Sequence, residues 1–407
     1  MTRRLLTNDA FARYGTLVVL AAAAAWAAVH VFDAATGPPG LRAGLGFGPD
    51  LIAFRAAAEL LSEVGPLAPY AAEVFVARTS LLFGAGDPGL LYQYPPTAYL
   101  LFAPLAWAPY PVAAAGFVVA SASLMAFSLR GAGWNRLGVA LGMASPPVLL
   151  AIGQGQVTTL TTACLVTATT QAHRRPVLAG AAAAALTIKP QLGLLLPPFF
   201  LLIGARRAFA VAGLGTLALV GVSLALFGAS AWTAFFDAAA RLSDDMRHGT
   251  IGYTPVEAMV SPFALAYAAG LPEAGADIVH WTLAALAGGV ALRSARTDRP
   301  HTHKAAALCA ASALVSPYGY VYEAALLVFP VGVLIQGACA RGWRHGERAT
   351  LAFAGGIFVL KGILPHPDLV QWYALATLAA AAVCLLRFGG RARAGARPPP
   401  SALASVA

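Results

Sequence analysis

Charge is scarce in this sequence. Only 11% of the 407 residues are Asp, Glu, Lys or Arg, against 59% hydrophobic, and that balance excludes an ordinary soluble domain. Cysteine is rarer still. Cys164, Cys309, Cys339 and Cys384 lie within or at the ends of apolar stretches and show no paired spacing. That excludes a disulfide framework or a cysteine zinc site and leaves small packing residues. No glycine-rich loop joins a strand pattern to a helix pattern, so the nucleotide-binding domain of a soluble transferase is missing. Internal repeats and a separate soluble domain are missing as well.

What is present is grease in long runs. Residues 14–32, 208–227, 278–292 and 369–386 contain no Asp, Glu, Lys or Arg, and each suits a bilayer core of about 30 Å. The net charge of +10 would suggest nucleic acid in a soluble chain, but its distribution excludes that partner. Short runs between apolar segments (Arg3/Arg4/Arg13, Arg130/Arg136, Arg174/Arg175, Arg206/Arg207, Arg293 to Lys304, Arg341 to Arg348, and Arg387 onward) hold 20 of the 27 basic residues with 3 of the 17 acids. The remaining segments hold the other 7 bases and 14 acids, so one face nets +17 and the other −7. This asymmetry places the basic face in the cytoplasm.

Charge parity then orders the chain. The first run is expected to be an uncleaved signal anchor. Residues 50–64, with Leu51, Phe54, Ala58 and Leu61 at helical spacing, read as an amphipathic helix on the membrane surface. Residues 94–108 read as a partly inserted outer helix, and 111–129, 137–152 and 157–172 as spans. Residues 177–203 form two short helices broken at Lys189-Pro190, and 305–336 another pair broken at Pro317. Residues 208–227 lead to an outer loop over 228–276, and three further runs bring the count to about twelve spans. The expectation is a single all-α transmembrane helical bundle over 1–387 with outer-face juxtamembrane helices, followed by a disordered basic tail at 388–407.

Every break in this scheme falls on the non-cytoplasmic side: the first loop, Tyr94-Pro95-Pro96, Gly153 to Gln156, Lys189-Pro190-Gln191 and Ser316-Pro317-Tyr318. Polar, helix-breaking residues at membrane depth line cavities. Five on one face point to an outward-facing site open to a lipid-borne substrate. Asp244 and Asp245 sit in a polar stretch without further ligands at readable spacing, so no metal site is assigned.

The string from Asp50 to Leu61, then Tyr94-Pro95-Pro96 with Ala103-Pro104-Leu105, resembles glycosyltransferase family 87 of the GT-C superfamily. Ser145-Pro146-Pro147 leading to Gly155-Gln156-Val157, Leu186 to Leu192, and Ser316-Pro317-Tyr318 through Tyr322-Glu323 continue the match in order. The resemblance implies a GT-C fold in a bacterial cytoplasmic membrane and transfer of mannose or another hexose from a polyprenyl-phosphate donor to a lipid or glycan acceptor outside it. Neither cofactor nor metal is implied.

It also implies roles. Asp50 stands where the family has a general base, with a helix N-cap as the alternative reading. Lys189, costly in an apolar segment without an anion, is expected at the donor phosphate, or else snorkels to the interface. Arg55 is a second phosphate candidate, although it stands about 140° round the helix from Asp50. Tyr318 is a third, departing from the histidine of some relatives. Tyr94, Gln156, Gln191, Tyr322 and Glu323 are expected to bind substrate, the tyrosines alternatively forming an interface belt. Glu323 stands where some relatives have an aspartate. A transporter or flippase for a lipid-linked sugar is the competing function, kept open by a lysine at a helix break. Acids gathered in outer loops favour the enzyme.

Overall fold

A computed structural model describes residues 8–84, 90–248, 259–363 and 370–389, and these are helical almost throughout. In chain order the α-helices are α1 (Asn8–Thr36), α2 (Pro39–Ala43), α3 (Pro49–Glu63), α4 (Ala72–Phe83), α5 (Tyr99–Phe102), α6 (Tyr110–Gly131), α7 (Arg136–Met143), α8 (Pro146–Gly153) and α9 (Thr158–Thr170). They continue as α10 (Pro176–Ala185), α11 (Leu196–Leu202), α12 (Arg206–His248), α13 (Pro262–Ala268), α14 (Glu273–Ala295), α15 (His301–Ser312), α16 (Val328–Arg341), α17 (Glu347–Ile363) and α18 (Val370–Gly389). Short 3-10 turns link several of them. Among the described residues the only β pairing is one isolated bridge between Met259 and Tyr320.

Among the described residues, six helical stretches are long and apolar enough to cross a bilayer: Gly15–Thr36, Tyr110–Gly131, Arg206–Arg241, Glu273–Ala295, Val321–Arg341 and Gln371–Gly389. The bent pair α7–α8, turning by 59°, makes up to seven. The chain is thus a polytopic helical membrane protein. Its long spans are fewer than the expected dozen because that count also enrolled α9, α10, α11, α15 and other elements too short to cross alone.

These short helices fill the interior. α9 is buried over nearly its whole length, and three of its threonines turn their hydroxyls onto their own backbone: Thr161 donates to Thr158 O, Thr169 to Leu165 O and Thr170 to Val166 O. This satisfies those three hydroxyls without water, whereas Thr158 and Thr162 bury theirs without a partner. Small residues bring helices close. A Cβ on Gly180 of α10 would lie 2.6 Å from Val211 Cβ of α12, so the two backbones meet where lipid offers no hydrophobic drive to association.

Proline and lysine set the predicted breaks. α10 passes through a 3-10 turn (Leu186–Ile188), halts at Lys189 (φ −138°, ψ 74°), and resumes in the turn Pro190–Gly193 before α11. The residue before a proline is pushed out of helical conformation. The run after Pro317 likewise restarts as a 3-10 turn over Val321–Leu327.

Two expectations need correction. The apolar face of α3, expected to rest on lipid, is covered by protein: Leu51, Ile52, Phe54, Ala56, Ala57 and Leu60 are all buried. Its alanines let α4, α5 and the 103–106 turn pack around it, and Phe54 stacks on Phe102 with ring centroids 4.2 Å apart. The outer loop expected over 228–276 is largely helical as well. α12 turns sharply at Gly228 (φ 81°, ψ 162°), where the span over 208–227 was expected to end, and then continues as helix to His248. Glu257 of that loop, Asp87 and the tail beyond Gly389 lie outside the described residues.

On the basic face Glu347 answers the crowded arginines. Arg387 Nη1 donates to both of its carboxylate oxygens at 3.0 and 2.9 Å, and Arg344 N donates to Oε2 at 2.8 Å. α17 and α18 are clamped there.

Candidate active site

Four breaks, at 94–96, 153–156, 189–191 and after Pro317, meet at the start of α3. Gly48 N donates to Gly153 O at 2.6 Å, joining the entry of α3 to the turn after α8. In that turn Gly155 takes φ +64°, and a Cβ there would lie 2.6 Å from Leu51 Cβ. Only glycine combines a left-handed backbone with this approach. The contact delivers Gln156 beside Asp50.

Asp50 occupies the first turn of α3, but Gly48 is the N-cap and no side-chain capping bond forms. The capping reading of Asp50 therefore fails. The helix N-terminus still favours its negative form. Burial opposes it and pushes the carboxyl up from 3.8 to about 6, with the Lys189 charge and a hydrogen bond from Gln156 pulling the other way. A carboxylate poised there can take a proton near neutral pH.

Gln156 is buried and its orientation is fixed. Its Oε1 accepts from Tyr94 Oη at 2.8 Å and from Val157 N at 2.7 Å, which leaves the amide nitrogen to donate to Asp50. Burial pushes the Tyr94 phenol up to about 12 despite the nearby Lys189 charge, so it remains a donor. Tyr70 Oη donates to Tyr94 O at 2.9 Å, and Tyr94 stands edge-on to Phe54 and Phe102. Rigid aromatic packing holds it.

Lys189 is buried at the break after α10. Its Nζ donates to Glu323 Oε1 at 2.6 Å and lies 5.7 Å from the ring centres of both Tyr94 and Tyr322. A buried lysine needs such company: a carboxylate and two aromatic faces in place of water. The snorkelling alternative does not describe it. Glu323 arrives from the Val321–Leu327 turn, held by its own N–H to Tyr320 O at 2.8 Å.

Of the nine residues expected at the site, Asp50, Tyr94, Gln156, Lys189, Tyr322 and Glu323 therefore come together. Arg55 does not. Its Nε donates to Glu59 at 2.6 Å, its Nη1 donates to Leu105 O and Ala108 O, and its charge lies over Tyr110, so the guanidinium ties α3 to the 103–108 turn. Tyr318 packs with Tyr320 on Met259 and Ala264. Gln191 is half-buried in the turn after Lys189, and no hydrogen bond joins it to the cluster.

Sequence reasoning missed Tyr70, which holds Tyr94 through its backbone, and Tyr320, which stacks on Tyr322 with centroids 5.7 Å apart. The density of tyrosine at 92–99 and 318–322 was the available signal. Among the described residues no three His, Cys, Asp or Glu side chains come together as a metal site.

The arrangement offers a carboxylate that exchanges its proton near neutral pH, a buried cation, and amide and phenol groups between them. The sequence model of glycosyltransferase family 87 matches residues 92–317, more than half of the chain. No curated protein and no solved structure matched the chain.

Proposed function

The chain belongs to glycosyltransferase family 87 and is a membrane-bound glycosyltransferase; from that premise we propose that it takes a sugar from a polyprenyl-phosphate donor and attaches it to a lipid or glycan acceptor at the extracytoplasmic face. The observation that carries this reading is the meeting of Asp50 and Lys189, 139 positions apart in sequence, in one buried network around Gln156 and Tyr94.

The chemistry divides between the two charges. The acceptor oxygen attacks the anomeric carbon as its proton passes to the Asp50 carboxylate. The bond from that carbon to the phosphate oxygen breaks with inversion, and its electron pair leaves on the polyprenyl phosphate. Phosphate is a stable leaving anion, so no second carboxyl is required to protonate it, in contrast to glycoside hydrolysis. Lys189 supplies the cation opposite the growing phosphate charge. Tyr94, Gln156 and Tyr322 line the space for the sugar, and no metal takes part. The basic clusters at the far ends of the spans support an outward orientation through the charge rule. The inner membrane of a bacterium is the proposed location, and mannose the first sugar to try.

Purified protein in proteoliposomes, given a panel of radiolabelled polyprenyl-phosphate sugars and membrane lipid extract, tests the reading. Transfer by the wild type that persists in chelator and is lost in Asp50→Asn is expected. Movement of labelled lipid between leaflets without transfer would replace it with the flippase reading, and transfer retained by Asp50→Asn would remove Asp50 as the base.

A further inference from the structure

The basic end of α14 carries a second site that the sugar chemistry does not use. α14 is a 23-residue span, about 34 Å of helix, enough to cross a hydrocarbon core of about 30 Å. Its last turn holds Arg293, and Arg296 follows as the C-cap, so both guanidinium groups stand at a membrane–water boundary. Both residues are exposed. They lie three positions apart and are therefore neighbours on the helix surface, where like charges repel mildly unless an anion sits between them. No ion pair among the described residues engages either one.

Directly below them, towards the bilayer, runs an open groove of about 420 Å³ between α11 and α14. Pro198, Leu201 and Leu202 of α11 form one wall, and Leu292 of α14 the other. Gly289 leaves the floor open, since a Cβ there would meet nothing within 4 Å. An apolar trough capped by two forked cations at the interface has the shape of one ligand class. We propose that this groove binds a bilayer phospholipid with a net negative headgroup, an acyl chain lying along the leucines and the phosphate bridging Arg293 and Arg296. Neutral phospholipids share the chain but not the headgroup charge, so the arginines set the preference. The site is independent of the transferase reading and involves none of its residues.

The test titrates the purified full-length protein in detergent with phosphatidylglycerol, phosphatidylcholine and polyprenyl phosphate in turn, counting bound lipids by native mass spectrometry. Phosphatidylglycerol should bind more tightly than phosphatidylcholine. Arg293→Gln with Arg296→Gln should weaken it roughly 30-fold, about fivefold for each charge at about 1 kcal/mol per basic residue. Gly289→Leu, which fills the floor without altering charge, should also weaken it. The control Arg174→Gln with Arg175→Gln, an exposed pair in another basic run, should leave it unchanged. Equal binding of the two phospholipids would overturn the proposal, and so would an equal loss in the control pair, which would indicate diffuse attraction to a basic face. Polyprenyl phosphate outcompeting phosphatidylglycerol in a manner sensitive to Arg293 and Arg296 would reassign the groove to the donor. Dimers abolished by Gly289→Leu would reassign it to a second copy of the chain.

Discussion

Replacing Asp50 with asparagine removes a charge that the fold holds against its own stability. Burial raises the carboxyl from 3.8 to about 6, so the folded chain binds this proton more tightly than the unfolded chain does. The sign follows from linkage: the stability contribution is fully present below the unfolded value and is lost as pH rises through the folded one. At about 1.36 kcal/mol per pKa unit, ionised Asp50 costs about 3 kcal/mol above pH 7, about half that at pH 5, and roughly half a kcal/mol at pH 4. Asparagine carries no charge and can still pair with the Gln156 amide. Asp50→Asn should therefore be dead in transfer yet more stable than wild type by up to about 3 kcal/mol at pH 7.5, with the gain halved at pH 5. Thermal unfolding of both proteins in detergent at pH 7.5, 6 and 5, alongside transfer assays on the same samples, reads both effects. Equal unfolding temperatures at pH 7.5, or a gain that does not shrink in acid, would refute the claim that burial sets the proton affinity of Asp50.

The same value predicts that wild-type transfer falls about tenfold per pH unit below about 6 as the base is protonated; a rate flat down to pH 5 would exclude Asp50 as that base. Lys189→Met should destabilise by about 3–5 kcal/mol because it strands the buried Glu323, and adding Glu323→Gln should recover most of the loss without restoring activity; strictly additive unfolding free energies would contradict the pairing. Gly155→Ala should cost at least about 1 kcal/mol and lower kcat, since its Cβ drives Leu51 and the start of α3 away from Gln156; unchanged kinetics would show the contact to be dispensable. Arg55→Ala should lower stability by about 1–3 kcal/mol through the two orphaned carbonyls and leave the donor KM alone. A raised donor KM at normal stability would return Arg55 to the phosphate.

Some of the site was legible because the signals are local. A proline after Lys189 stops a helix whatever surrounds it, and Pro317 and the glycines at 153 and 155 act in the same way. Polar residues clustered at such breaks could be picked out one stretch at a time. Arg55 illustrates the limit. Its position on α3 placed it away from Asp50, but that it would be absorbed by Glu59 and two carbonyls of the 103–108 turn depends on a contact across 50 residues. The expectation that lipid would cover the apolar face of α3 failed for a related reason. Apolar residues at helical spacing describe a face that wants covering, and the alanines at 53, 56, 57 and 58 allowed protein to cover it in place of lipid.

From the sequence alone came the helical class, the membrane, the breaks and the basic face, because composition, periodicity and charge runs act over a few residues and the bilayer punishes any alternative. Tertiary structure alone decided that Lys189 would pair with Glu323 from 134 positions away, that Gln156 would turn its amide nitrogen to Asp50, and that Asp50 would be buried enough to hold its proton near neutral pH. Those outcomes depend on desolvation and on which partner arrives, and both are properties of the packed chain.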